Sequence, residues 1–256
     1  LAVNGFMTMR THGDKLPRYL TLLLFRQGLL KTKDGYMVDN AFIARTRAVN
    51  GCFSMFLLMF LITFIPLFLE NRAALMRQGL LLPLLYGMEF IAIFSLYLLF
   101  FRRREGLGKG EIKRNDFALL LFALLVIQFI FPRLMGVEKT ETWVTEQVAL
   151  PGEILALNAA LLVFVVPIYE EIVFRGCLFN ALMYWFNDKV LWVALTVSVI
   201  FAVLHTQYTD WRTLAALVLI SLVLTAARVR SKGIYLPIGL HMTMNGVVMA
   251  ASYALS

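Results

Sequence analysis

Five ionisable side chains stand inside, or at the ends of, long apolar stretches: Glu170, Glu171, Arg175, His205 and His241. A charge at the centre of a membrane helix costs at least about 2.5–3.5 kcal/mol, so such residues are functional candidates by default. The chain has 3 histidines in all; the third, His12, falls in a polar lead-in and reads as a surface residue. Helical geometry sorts the group. Glu171 and Arg175 are four apart and can pair on one face, which reads as an ion pair that lets a charged segment live in lipid. Glu170 is turned by about 100° from Glu171 and can face elsewhere. His205 shares a stripe with Phe201, and His241 shares one with Asn245. Three helices thus direct Glu170, His205 and the His241–Asn245 pair toward one possible centre, and Gly176, Gly239 and Gly246 would permit close helix approach.

That set suits hydrolysis of a peptide bond, which needs a base, an activated water and a donor for the tetrahedral oxyanion. A carboxylate in a poorly hydrated cavity can act as the base, with a neutral imidazole beside it to orient the water. Asn and His donors aimed at the oxyanion are worth about 3 kcal/mol each. Glu170, His205 and His241 also make a plausible two-histidine, one-carboxylate zinc set, although no HExxH pattern places two ligands on one turn. No Ser–His–Asp order surrounds these residues. Glu89, alone in its stretch, is either a packing partner or without special role. Asn158 and Ser198 read as interhelical hydrogen-bonders, Met242, Met244 and Met249 as packing, and Cys177 as a small hydrophobe.

The elements that position these residues must be membrane helices. The 256 residues are 60% hydrophobic and 16% charged, with mean hydropathy +0.76, whereas soluble domains run at roughly 45–50% apolar and about 25% charged. Disorder, coiled coil and collagen are excluded by composition. Having only Cys52 and Cys177 excludes a secreted disulfide scaffold. Continuous apolar blocks, rather than alternation, indicate helices and not a barrel. The expectation is an all-α polytopic transmembrane helical bundle of seven to eight spans, with blocks at 51–69, 79–101, 117–132, 154–170 (continuing helically to about 186), 190–205, 213–229 and 234–255. Residues 1–50 form a basic cytoplasmic or interfacial segment, 51–149 the N-terminal transmembrane helices, and 150–256 the core that carries the polar residues. The piece Pro17–Leu30 lies along the membrane surface or packs on the bundle. No signal peptide is expected, because the first block long enough to span starts near Gly51.

Charge supports an orientation. Residues 1–50, the 102–116 loop (Arg102, Arg103, Arg104, Lys109, Lys113, Arg114) and the 228–232 turn are basic, while 133–153 is acidic. Seven crossings from an inside N-terminus put every basic loop inside. The net charge of +8 therefore points to anionic lipid rather than nucleic acid. Taken literally, this topology sets His205 near the outer end of its helix and His241 about two turns in from the inner side. Helix tilt, a re-entrant 206–211 turn or a bend at Pro167 must remove that mismatch.

The stretch Glu170-Glu171-Ile-Val-Phe-Arg175 resembles the EExxxR motif of the CAAX-protease and bacteriocin-processing family of intramembrane peptidases. Phe201-Ala-Val-Leu-His205 is similar to its FxxxH motif, and His241-Met-Thr-Met-Asn245 to its HxxxN motif. All three occur in the family's order, over about residues 150–250. The resemblance implies a type II CAAX prenyl endopeptidase-like intramembrane glutamic peptidase acting on a membrane-associated, lipidated or bacteriocin-type peptide or protein. It implies that Glu170 activates water with help from His205, that His241 and Asn245 bind the oxyanion, and that Glu171 and Arg175 hold the first motif. It favours catalysis without metal or other cofactor, and a multi-pass protein of the bacterial inner membrane. The rival readings are a zinc-dependent version of the same peptidase, a non-catalytic immunity or transport-accessory protein, and a proton-coupled transporter; the last is disfavoured because no inverted repeat is visible.

Overall fold

The structure is a computed structural model that describes residues 35–137 and 141–254. His12 and the 17–30 piece lie outside the described residues. Two compact units meet after Arg47. The described part of the first is the opening of helix α1 (Gly35–Thr63). In the second unit a short 3-10 turn (Ile65–Phe68) and α2 (Arg72–Arg77) lead into α3 (Leu81–Phe101), α4 (Arg114–Leu134), α5 (Thr142–Val148), α6 (Gly152–Trp185), α7 (Val190–Leu204), α8 (Trp211–Ser231) and α9 (Tyr235–Ala254). No strand occurs among the described residues.

Five of these elements are long and apolar enough to cross a membrane: Arg45–Phe68, α3, α4, α6 and α8. The 190–205 block is a shorter apolar helix of 15 residues. Helix α9 has 20 residues, but His241 and Asn245 lower its hydropathy. Many large apolar side chains point outward: Leu61, Ile91, Leu99, Phe122, Leu191 and Val203 are each 63–71% exposed. Lipid tails satisfy such a surface, while water would not.

Two features of the chain fix where elements begin and end. Asp210 caps α8, its carboxylate accepting the Arg212 N–H at 2.8 Å. At the other end Lys232 takes a left-handed conformation, φ 54°, and the chain turns through Gly233 against the 106–111 loop. Ile234 N–H donates to Gly108 O at 3.0 Å, and Glu111 N–H to Ser231 O at 2.7 Å. Helix α6 lies at the centre of the larger core. Its Ile172, Val173, Phe174 and Cys177 pack with Ile93 of α3 and with Val193, Val197 and Phe201 of α7. A second core joins α4, α8 and α9 through Leu124, Ile220, Leu224 and Leu240. Of the three glycines expected to allow close approach, only Gly176 is tight: a Cβ there would sit 3.1 Å from Leu107 Cγ, whereas Gly239 and Gly246 leave ordinary contacts of 3.6 Å.

Candidate active site

The site grows out of two defects in α6. A proline inside a helix leaves a carbonyl without its donor. Here the helix widens by one residue per turn over Leu161–Val165, so that the Val166 N–H reaches Leu161 O, five residues back. In that register the donor to Leu162 O would be residue 167, and Pro167 has no N–H. Asn245 of α9 fills the gap, its Nδ2 donating to Leu162 O at 2.9 Å. The helix widens again over Ile172–Leu178, where Phe179 N–H reaches Phe174 O. The neighbouring carbonyl, Arg175 O, accepts from Arg228 Nε at 3.1 Å, and the same guanidinium donates to Asn180 Oδ1 at 3.3 Å. Wide turns of this kind are frequent at functional sites; each here is held by a side chain from another helix.

The EExxxR segment lies between them. Arg175 and Glu171 are fully buried and paired, with Arg175 Nη1 donating to Glu171 Oε1 at 3.0 Å. Arg175 Nη2 donates to Ser221 Oγ of α8 at 2.9 Å, and the guanidinium lies 4.5 Å from the Phe201 ring centre. His241 also reaches Glu171, its Nδ1 standing 2.8 Å from Oε1. A carboxylate already paired with arginine accepts, so Nδ1 carries the proton. The opposite nitrogen, Nε2, is 3.9 Å from Glu170 Oε2, too far for a direct hydrogen bond. A ring with nitrogens on two edges thus spans the turn between the adjacent glutamates.

His205 sits at the C-terminal end of α7, and its Nδ1 donates to Phe201 O at 2.7 Å. That bond leaves a lone pair on Nε2. The Phe201 ring stands 4.4 Å from the His205 ring and 6.3 Å from the His241 ring, centre to centre. Both histidines therefore flank one phenyl group. Of the expected site residues, His205 and His241 flank Phe201, and Glu170 faces His241. Glu171 and Arg175 support them, and Asn245 lies one turn along α9 on the Leu162 carbonyl.

Four neighbours have no signal of their own in the sequence or carry a misleading one. Tyr208 stacks on His205, with planes 10° apart and centres 6.3 Å apart. Burial, with Glu141 and Glu170 nearby, pushes its phenol up to about 12, so it stays a neutral donor. Tyr86 of α3 lies within electrostatic range of Glu170, Glu89 and Tyr208. Ser221 is a serine in the middle of an apolar helix. Arg228, which reads as a loop cation, is buried with 7% exposure. Glu89 is a packing partner: its Oε1 accepts from Thr63 Oγ1 at 2.9 Å. Asn158 bridges to Gln147 of α5 at 3.0 Å. Ser198 Oγ, by contrast, has no hydrogen-bond partner among the described residues, so the expected interhelical bond is not made. Among the described residues no group of three His, Cys, Asp or Glu side chains is arranged to hold a metal ion.

Fold and site together define an integral membrane protein of apolar helices with a carboxylate–histidine cluster buried between three of them. Residues 152–247 match the family described as type II CAAX prenyl endopeptidase Rce1-like, which is the family that the three motifs resemble and the segment over which they lie. A protein of Escherichia coli, described as an uncharacterized 24.3 kDa protein, is 38% identical over 99 residues, covering 37% of this chain and 42% of the relative. The chain thus spans less than half the length of that relative. No solved structure matches.

Proposed function

We propose that this protein is an intramembrane endopeptidase that hydrolyses a peptide bond of a membrane-associated peptide or protein, using Glu170 as the base. The observation that carries this reading is the contrast between the two adjacent glutamates. Glu171 is fully buried and its Oε1 takes both Arg175 and His241, whereas the Glu170 side chain keeps 15% exposure and faces His241 Nε2 across 3.9 Å. A water beside Glu170 meets a carboxyl group that no direct pairing occupies. His205, whose Nε2 lone pair is fixed by the Phe201 bond, orients that water. With Nδ1–H spent on Glu171, His241 donates from Nε2 to the oxyanion only in the form that carries both ring protons. Asn245 holds one N–H on Leu162 O and has a second for the same oxyanion. The family match over 152–247 supports hydrolysis in general. In this reading the chain crosses the bacterial inner membrane seven times, the shorter α7 and the polar α9 being the sixth and seventh apolar elements beside the five long ones.

The test is substitution of Glu170 by glutamine and of His205 by alanine in the full chain. Both variants insert and migrate as the wild type on size exclusion, and both lose cleavage of a membrane-peptide substrate. Wild-type turnover in the purified Glu170→Gln variant removes Glu170 from the chemistry. One observation favours a second reading, a non-catalytic membrane partner: Asn245 and His241 each already satisfy a group of α6, as a purely structural cluster would. Restoration of the cellular phenotype by Glu170→Gln decides for that reading.

A further inference from the structure

A groove of about 290 Å³ runs between α3, α6 and α9. Phe94 and Tyr97, Ile168 and Ile172, and Ile238 and Met242 form its walls, one pair from each helix. Apart from the Tyr97 hydroxyl these side chains carry no polar hydrogen, and that hydroxyl is spent on Leu107 O at 2.8 Å. Tyr235, on the first turn of α9, is exposed at one end of the groove. The two helices that form this end run straight into cations: Arg102 and Arg103 follow α3, and Lys232 lies just ahead of α9. Backbone docking brings Lys109 to the same place. Ile234 N–H donates to Gly108 O at 3.0 Å and Glu111 N–H to Ser231 O at 2.7 Å, and Gly110 and Gly233 pack so closely that a Cβ on either would collide with the backbone of the other. Arg102 lies within electrostatic range of the Tyr97 hydroxyl. All four cations are exposed. Of the acids in this stretch, Glu111 faces Lys113 at 3.9 Å, Asp116 takes Arg230 at 2.6 Å, and Glu105 lies in range of Arg228. Among the described residues no carboxylate stands within 4.0 Å of Arg102, Arg103, Lys109 or Lys232.

We propose that this groove binds one anionic phospholipid, with an acyl chain against α3, α6 and α9 and the phosphate held by Arg102, Lys109 and Lys232. The inference does not depend on the peptidase reading. An apolar groove takes the chain of any lipid, and the charge at its end selects the headgroup. Basic pockets between membrane helices hold anionic headgroups in this way, and each Lys or Arg near such a surface is worth about fivefold in binding. A neutral lipid fills the groove without that gain, and free phosphate meets the cations without the groove. The site asks for both chemistries in one molecule.

Tyr235→Trp places a fluorophore at the mouth of the groove. The full-length chain carrying it is reconstituted in phosphatidylcholine vesicles, and brominated phosphatidylglycerol or brominated phosphatidylcholine is titrated in. The wild type, run in parallel, supplies the quenching of the 4 native tryptophans. Brominated phosphatidylglycerol quenches the added indole at a mole fraction lower by at least about fivefold, the worth of one cation. Arg102→Gln, Lys109→Gln and Lys232→Asn each lower that preference and together abolish it; asparagine at 232 tolerates the left-handed backbone there. Unlabelled dioleoyl phosphatidylglycerol relieves the quenching, whereas the dihexanoyl lipid and inorganic phosphate do not at the same concentration. Equal quenching by the two brominated lipids, or a preference unchanged in the folded triple variant, overturns the site. Relief by inorganic phosphate as complete as by the dioleoyl lipid overturns the lipid as occupant. If Tyr235→Trp does not fold, the same competition is read on the wild type by native mass spectrometry, as phosphatidylglycerol adducts that outlast phosphatidylcholine adducts and vanish in the triple variant; adducts of equal persistence overturn the site.

Discussion

The bond from Asn245 to Leu162 O makes a prediction that separates architecture from chemistry. Pro167 removes the donor that this carbonyl would otherwise find within α6, and Asn245 replaces it from α9 at 2.9 Å. Asn245→Ala leaves the carbonyl without a partner in an apolar interior, at a cost of about 1–3 kcal/mol. At about 2–4 °C per kcal/mol for a chain of this size, the unfolding midpoint falls by about 2–12 °C. Pro167→Ala gives the backbone its own donor back. In that background Asn245→Ala costs less than half as much, a coupling of about 1–2 kcal/mol between the two positions. The four proteins are compared in one detergent by tryptophan fluorescence at a fixed scan rate, since membrane proteins unfold irreversibly. Strictly additive midpoints refute the idea that Asn245 stands in for the missing N–H. Turnover is read in the same four proteins. If Asn245 also donates to the oxyanion, its loss lowers kcat about 10²–10³-fold in both backgrounds. A rate loss that disappears with Pro167→Ala shows that Asn245 acts only by positioning α6.

The remaining predictions concern what surrounds that helix. Arg175→Met leaves Glu171 as a buried charge held by His241 alone and costs about 3–5 kcal/mol; the double variant with Glu171→Gln is less damaged than the sum of the two, and an additive pair of midpoints argues against the ion pair. Arg228→Met strips the partner from Arg175 O and lowers both midpoint and activity. Gly106→Ala does the same, because Gly106 has φ +74° and a Cβ there meets the Arg228 guanidinium; normal stability of both variants argues against that lock. Acid loosens the clamp in which Glu141 accepts the Thr209 N–H at 3.3 Å and the Asp210 N–H at 3.2 Å, beside the start of α5. Burial opposes charge on Glu141, but hydrogen bonds from Thr213, Thr209 and Asp210 outweigh it and hold its carboxyl below the usual range. Hydrogen bonds from Arg212, side chain first, do the same for Asp210. Both folded-state pKa values are depressed, so the clamp contributes fully above the ordinary carboxylate range near pH 4 and is lost as pH falls below it. Amide exchange at Thr209 and Asp210 therefore accelerates, relative to the intrinsic rate, below about pH 4, and unchanged protection down to pH 2 overturns the clamp.

The helices are legible in this sequence because lipid leaves one solution for each apolar run. The block that begins near 154 and runs on to about 186 is the 34-residue α6, and the motif residues of three blocks meet around Phe201. The crossing count is less legible. Helix α7 is short, and α9 carries the polar residues that make it interesting, so function itself erases part of the hydropathy signal. The widened turns of α6 cannot be read from spacing, because they depend on what the neighbouring helices offer to the freed carbonyls. Arg228 shows the same limit. By composition it joins a basic turn with Arg230 and Lys232; in the fold, Nε is spent on the Arg175 carbonyl and the side chain is buried. Ser221 and Tyr208 acquire meaning only once α8 is laid against α6 and the chain after His205 is turned.

A regular α-helix sets consecutive glutamates about 100° apart, and two carboxylates with one guanidinium between them would leave one charge unmatched in lipid. Here the direct bonds fall on Glu171, from Arg175 Nη1 at 3.0 Å and His241 Nδ1 at 2.8 Å. Glu170 is left without a direct partner, and it is the member of the pair that keeps some exposure. The division makes the two positions unequal under the same small change. Glu171→Asp withdraws the carboxylate by about one methylene from two bonds at once and acts chiefly on stability. Glu170→Asp breaks no bond shorter than 3.9 Å and acts chiefly on rate, since a base displaced by about 1 Å from its water costs on the order of 10²-fold. Midpoints and turnover measured for both variants give opposite rankings if Glu171 organises the site and Glu170 does its chemistry. The same ranking for both measurements removes the distinction on which the assignment of the base depends.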